Sequence, residues 1–296
     1  MSSTSGASER SIGFAYTIGA FLLWGVSPVF WKLLDTVPPL EILGHRVVWC
    51  ALLMAIYLVI RRGRVMGGGL RGRRRAFIML LGSTLLIATN WYLFILSVVT
   101  DRLLQASLGY YVNPLISVVL GMVFLGERMR RLQALSVAVA VVGVAVLTAR
   151  LGHLPWLSVG LALSFGFYGL LRKTVPASPE EGLTLETWLL LPAALALLVP
   201  THLQGGGAFG TSWSMSLLLV AAGLWTAVPL LWFTHGARRL PLATVGVLQY
   251  LAPTGQFLLG VLVYREPFDS AQLVAFVLIW IALAIFTVDA RRARPT

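Results

Sequence analysis

The residues with the clearest potential for chemistry are Glu41, His45 and Arg46, in the run Glu41-Ile42-Leu43-Gly44-His45-Arg46. Glu41 and His45 are four apart, which places them on one face of a helix. Arg46 follows, about 9 Å along that helix from its start at 1.5 Å per residue. The sequence around it is apolar, and an arginine at the centre of a membrane helix costs about 2.5–3.5 kcal/mol on insertion scales. Off centre the cost falls, but the guanidinium must still face the bundle or water. The set reads as a substrate-facing cation with a titratable neighbour. The competing reading is an interhelical tie, or snorkelling to the headgroups.

A second set is aromatic and amide in character. Tyr110, Tyr111 and Asn113 stand just before Pro114, and Gln249 and Tyr250 just before Pro253. Each proline frees a backbone carbonyl and is expected to kink its helix. Rings, amides and freed carbonyls together suit a mostly apolar solute with a few hydrogen-bonding groups. Ordinary packing with polar glue between helices is the alternative. Asn90 and Trp91 add a further polar spot, and Trp24 is expected to line a cavity.

Other chemistries find little support. Gly25-Val26-Ser27 lacks the flanking pattern and the base of a serine nucleophile. No glycine-rich loop with Lys-Ser/Thr is present to hold a nucleotide phosphate. The single cysteine, Cys50, permits neither an intrachain disulfide nor a Cys-based metal site. No catalytic residue, cofactor or metal is therefore assigned, and the chain is not expected to be an enzyme. The 11 carboxylates all fall in expected tails, loops or helix ends, which argues against a buried carboxylate relay. Among them Glu127 and Glu266 sit in short turns and are expected to brace the start of the next helix. His153 and His202, near helix ends, carry no assignment.

The elements that must position these residues follow from composition. Of the 296 residues, 58% are hydrophobic and only 11% charged, against about a quarter charged in soluble domains. The apolar residues fall in runs of about 18–22, enough to cross a hydrocarbon layer of about 30 Å. Ten spans are expected, near residues 12–34, 40–60, 76–98, 104–125, 132–149, 155–171, 184–203, 214–235, 242–263 and 270–288. The first lacks a cleavage site and reads as a retained helix. The net charge of +12 sits between apolar runs, so lipid and topology explain it better than nucleic acid. Clusters such as Arg61–Arg75, Arg128–Arg131, Arg172-Lys173, Arg238-Arg239 and Arg291–Arg294 share one side. Lys32, Arg102, Arg150 and Arg265 lie on the other. That asymmetry expects both termini in the cytoplasm.

The two halves echo one another. Pro114, Gly121, Glu127 and Gln133 recur as Pro253, Gly260, Glu266 and Gln272, each pair 139 positions apart. Gly25 and Lys32 recur as Gly166 and Lys173, 141 apart. Weak internal symmetry of this kind points to a duplicated unit. Five helices per half make the second copy inverted relative to the first. The expected fold is an all-α integral membrane protein of ten helices, with residues 1–150 and 151–296 as two inverted five-helix repeats. A substrate site would lie near the midplane between them.

Several stretches resemble the RarD branch of the EamA family, within the drug/metabolite transporter superfamily. They are FLLWGVSPVFWKLL, PPLEILGHRVVW, LQASLGYYVNPLISVVLGMVFLGERMRRLQ, LALSFGFYGLLRK and GLTLETWLLLP. The resemblance runs over nearly the whole chain; the long arginine-rich loop Arg61–Arg75 departs from it. It implies a ten-helix transporter of small molecules in the plasma membrane, with an association to chloramphenicol sensitivity. The expected partners are a small organic solute and membrane lipids, with a homodimer admitted. Two other function classes stand beside this one. An intramembrane enzyme acting on lipid or isoprenoid substrates would need a convergent acid-base set, and only Glu41 and His45 offer a start. A membrane sensor would bind a ligand without moving it.

Overall fold

A computed structural model describes residues 3–62, 74–126, 128, 130–174, 179–237, 239–240 and 248–292. Among the described residues there are ten α-helices and no strands. They are α1 (Ser3–Lys32), α2 (Pro39–Arg62), α3 (Arg74–Val99), α4 (Leu103–Leu125), α5 (Arg131–Leu151), α6 (Trp156–Thr174), α7 (Pro179–Leu203), α8 (Trp213–Ala237), α9 (Leu251–Leu258) and α10 (Ser270–Arg292). A π-helical turn, Leu259–Val263, continues α9. Eight of these helices are long and apolar enough to cross a membrane, and Trp156–Arg172 and Leu251–Val263 are shorter apolar helices. Large apolar side chains such as Leu22, Val26, Leu85, Val123, Val141 and Leu262 stay exposed on the bundle's outside. In lipid that is their favourable environment. The helices are apolar all round because both faces meet hydrocarbon or protein.

The packing interleaves the halves. α1 packs on α8 and α9, α2 on α7 and α8, α3 on α6 and α7, α4 on α6 and α9, and α5 on α10. Adding five to each helix number, and wrapping after ten, returns the same set of pairs. Thus α4–α6 becomes α9–α1, α3–α6 becomes α8–α1, and α2–α8 becomes α7–α3. The α5–α10, α2–α7 and α4–α9 contacts map onto themselves. Within lipid such contacts depend on close backbone approach and on polar ties. At the α1–α9 crossing a Cβ on Gly255 would stand 3.0 Å from the Gly25 Cα. At α5–α10 the Ser136 hydroxyl donates to the Ala282 carbonyl at 2.7 Å.

The ninth helix starts differently from expectation. Pro253 lies in the first turn of α9 rather than kinking its middle. There its missing N–H costs nothing, since first-turn donors have no intrahelical partner. Its carbonyl accepts a hydrogen bond from the Ser107 hydroxyl at 2.8 Å, tying α9 to α4. Residues 242–247 of the expected ninth span lie outside the described residues. Pro114, by contrast, does fall inside α4.

Glu266 braces a helix start, but that of α4 rather than of the helix that follows it. Its carboxylate accepts the N–H groups of Leu103 at 2.6 Å and Leu104 at 2.9 Å. A carboxylate there meets both the unpaired donors and the positive end of the helix dipole. The clasp joins the second half to the first, at the end of the bundle away from both termini. Glu127 lies outside the described residues. Burial pushes the Glu266 carboxyl above its usual range, and the N–H groups of Leu104 and Leu103 hold it down in part. The clasp therefore carries a desolvation cost. Glu266→Ala should lower stability in detergent by about 1–2 kcal/mol, the size of a lost cap, and Glu266→Gln by less. Thermal melting of both variants measures this, and unchanged melting of the alanine variant would remove the clasp from the account.

Candidate functional site

Arg46 stands on α2 and is 6% exposed. Its guanidinium lies 4.4 Å from the centre of the Trp91 ring of α3 and 5.0 Å from that of Trp31 of α1. Two tryptophan faces therefore hold the cation, each worth about 0.5–2 kcal/mol depending on desolvation. Trp31 is itself 1% exposed. Arg46 Nε and Nη1 are buried without a hydrogen-bond partner among the described residues.

Glu41 and His45 turn away from this group. The Glu41 carboxylate accepts the Ala208 N–H at 2.6 Å, which pins the α7–α8 connection to the start of α2. The His45 ring stacks on Phe209, 5.3 Å between centroids and 23° between planes. The Glu41 to His45 separation is 4.0 Å. Both line a pocket of about 200 Å³ with Leu198, His202 and Phe209. The three residues that sequence spacing grouped are thus divided between a small peripheral pocket and the bundle interior. His202 joins His45 in that pocket because α7 packs on α2, a neighbourhood that sequence separation hides.

Asn90, on α3, gathers three helices. Its side-chain N–H groups donate to the Leu161 carbonyl and to the Ser164 hydroxyl oxygen of α6, both at 3.1 Å. Its oxygen accepts the Tyr110 hydroxyl of α4 at 3.1 Å. The amide orientation follows from this network. Tyr110 packs edge-on against Phe94 and Phe165 and lies within electrostatic reach of Arg46. Tyr110 thus meets both Asn90 and Arg46, and Trp91 covers the guanidinium, so Arg46, Trp91, Asn90 and Tyr110 form one continuous group.

Tyr111 faces the other way. Its hydroxyl shares a 2.7 Å hydrogen bond with Thr254, and its ring stacks on Tyr250 at 6.4 Å. The Tyr250 hydroxyl is buried without a partner, and Gln249 is half-buried in the turn leading into α9. Asn113 is 2% exposed, with neither side-chain amide atom partnered. The expected site residues other than Asn113 therefore fall into three places: the peripheral pocket, the Arg46 group, and the α4–α9 contact. Trp24 packs on Phe21 and Phe233.

One carboxylate expected at a helix end stands inside a helix instead. Glu186 lies about 10 Å along α7 from its start, at 1.5 Å per residue, and is fully buried. It accepts hydrogen bonds from the hydroxyls of Ser83 at 2.8 Å and Tyr168 at 3.2 Å, and pairs with Arg172 at 3.7 Å. Gly182 makes room for the Arg172 guanidinium: a Cβ there would overlap it at 2.0 Å. The misreading arose because α7 begins at Pro179, ahead of the expected span. The partners come from α3 and α6 and only the fold brings them together. The interior of the bundle therefore holds an ion pair as well as a cation, Arg46, with no ion pair among the described residues.

The EamA-like transporter family matches residues 11–149 and again 155–288. This chain belongs to the EamA family, in its RarD branch. Its relatives include an uncharacterised transporter of Pseudomonas aeruginosa, 46% identical and covering 95% of each chain. Protein RarD of Escherichia coli K12 is 43% identical over 96% of each chain. A P. aeruginosa protein named chloramphenicol-sensitive protein RarD is 31% identical over 95% of each. One solved crystal structure aligns with a TM-score of 0.58 at 23% identity, covering 96% of this chain and 99% of that one; it shares the fold. As an EamA protein the chain is a multi-pass membrane transporter of the drug/metabolite type.

Glu186→Ala should lower stability by about 3 kcal/mol, since it strips a buried cation of its carboxylate. Replacing Arg172 and Glu186 together by Leu should recover much of that loss. A double-mutant cycle on melting curves tests it; additive losses would show that the pair is not coupled.

Proposed function

We propose that this protein is a secondary transporter of small organic solutes in the plasma membrane, working by alternating access, with both termini in the cytoplasm. The observation that carries the reading is the packing that maps onto itself when the halves are exchanged. Two arrangements related by that exchange have similar energies, one open to each side of the membrane. The solute site lies where α1, α2, α3 and α4 of the first half meet α6, α8 and α9 of the second. Arg46 supplies charge preference, with Asn90, Trp91 and Tyr110 around it. Tyr111, Gln249 and Tyr250 line the neighbouring α4–α9 contact, Asn113 stands on the Tyr110 face of α4, and Glu41 and His45 act at the peripheral mouth. Residues 1–150 and 151–296 are the two inverted repeats.

Transport is expected in proteoliposomes screened with metabolite mixtures, with and without a pH gradient. Arg46→Ala should abolish uptake or change its solute range while the protein still inserts. Wild-type uptake by that variant would remove Arg46 from the mechanism. Reporter fusions should place both termini on the cytoplasmic face; termini on opposite faces would overturn the inverted arrangement. A link to chloramphenicol, suggested by one relative's name, predicts a changed growth threshold on the drug when the protein is overproduced.

A further inference from the structure

We infer that the group around Arg46 binds a singly charged carboxylate, so that the transported solutes are organic anions with apolar bodies. This rests on the transport reading above and names its substrate class.

The first ground is charge. The described carboxylates in or beside the bundle have other engagements. Glu41 accepts the Ala208 N–H, Glu186 is held by Ser83, Tyr168 and Arg172, and Glu266 caps α4. No ion pair to Arg46 is formed among the described residues. Ring faces meet the guanidinium plane, but they do not satisfy its N–H groups, and Nε and Nη1 remain bare. A buried cation without a counter-charge is costly unless something supplies one.

The second ground is donor character. Trp225 of α8 has its indole N–H buried and unpartnered among the described residues, and its ring stacks on Phe30 at 4.8 Å; Phe30 in turn meets Trp31, one of the two rings over the guanidinium, at 4.9 Å. Arg46 and Trp225 thus offer donors only, linked through the Phe30 and Trp31 rings. The Tyr110 hydroxyl is already spent on Asn90. A ligand that satisfies such a set brings acceptors and one negative charge. A cationic solute would be repelled, and a neutral one would leave the guanidinium uncompensated. The single positive charge also argues for a monoanion over a phosphate ester.

The test uses the full chain in detergent, with binding read by tryptophan fluorescence and thermal stabilisation. Phenylacetate, hippurate and phenylpyruvate are each compared with their uncharged amides, at up to about 10 mM, which detects binding weaker than the millimolar range. At least one acid should bind about tenfold more tightly than its amide, roughly 1.4 kcal/mol. Arg46→Gln should erase the difference, Arg46→Lys should keep part of it, and Trp225→Phe should weaken acid binding a few-fold. Equal binding of acids and amides, no binding of any acid, or a preference that survives Arg46→Gln would overturn the assignment. Should Arg46→Gln not fold, the Lys and Phe variants carry the comparison. Proteoliposomes separate the two claims. Uptake of neutral or cationic solutes alone, undiminished in Arg46→Gln, defeats the anion assignment and leaves transport standing. Charge-selective binding with movement of no solute defeats transport and leaves the anion site.

Discussion

Everything in this bundle follows from the cost of an unpaired polar group in hydrocarbon. Helices meet that cost for the backbone by closing their hydrogen bonds internally. Polar side chains have no such internal solution and must find partners on other helices. The Asn90 amide, the Ser107 hydroxyl and the Ser136 hydroxyl each do so across a helix crossing. Several of these ties join one half of the chain to the other. The halves are therefore interleaved, each completing the polar bonding of its counterpart.

Against that background the exceptions carry the meaning. Among the described residues Arg46 has ring faces but no carboxylate, and the indole N–H of Trp225 has no acceptor. Arg172 and Glu186 show that the same bundle can neutralise a buried cation when structure alone demands it. Two arginines in one bundle are thus treated oppositely. The contrast separates a pair that holds helices together from a cation met only by ring faces among the described residues.

The clasp at Glu266 adds a mechanical element. It spans from the loop after the π-helical turn to the first N–H groups of α4. Gly260, inside that turn, lets α4 come close: a Cβ there would meet the Leu104 side chain at 2.9 Å. The α4 start is thus held by a partner in the opposite half. A rearrangement that opened this end of the seam would have to break both bonds at once.

The number and order of the helices were readable from residue types, because apolar runs of membrane-spanning length separated by charged turns leave the chain few alternatives. Arg46 as a buried charge and Glu266 as a brace for a helix start were also visible, since each depends on local residue type, but which helix Glu266 braces was not. What the chain could not announce was who meets whom. Glu41 and His45 sit next to Arg46 in sequence yet face a different space. Glu186 meets Ser83 across 103 positions, and His202 joins His45 through the α2–α7 contact. One helical position turns a side chain by about 100°, and the neighbour it then meets is set by interhelical packing, which only the folded bundle determines.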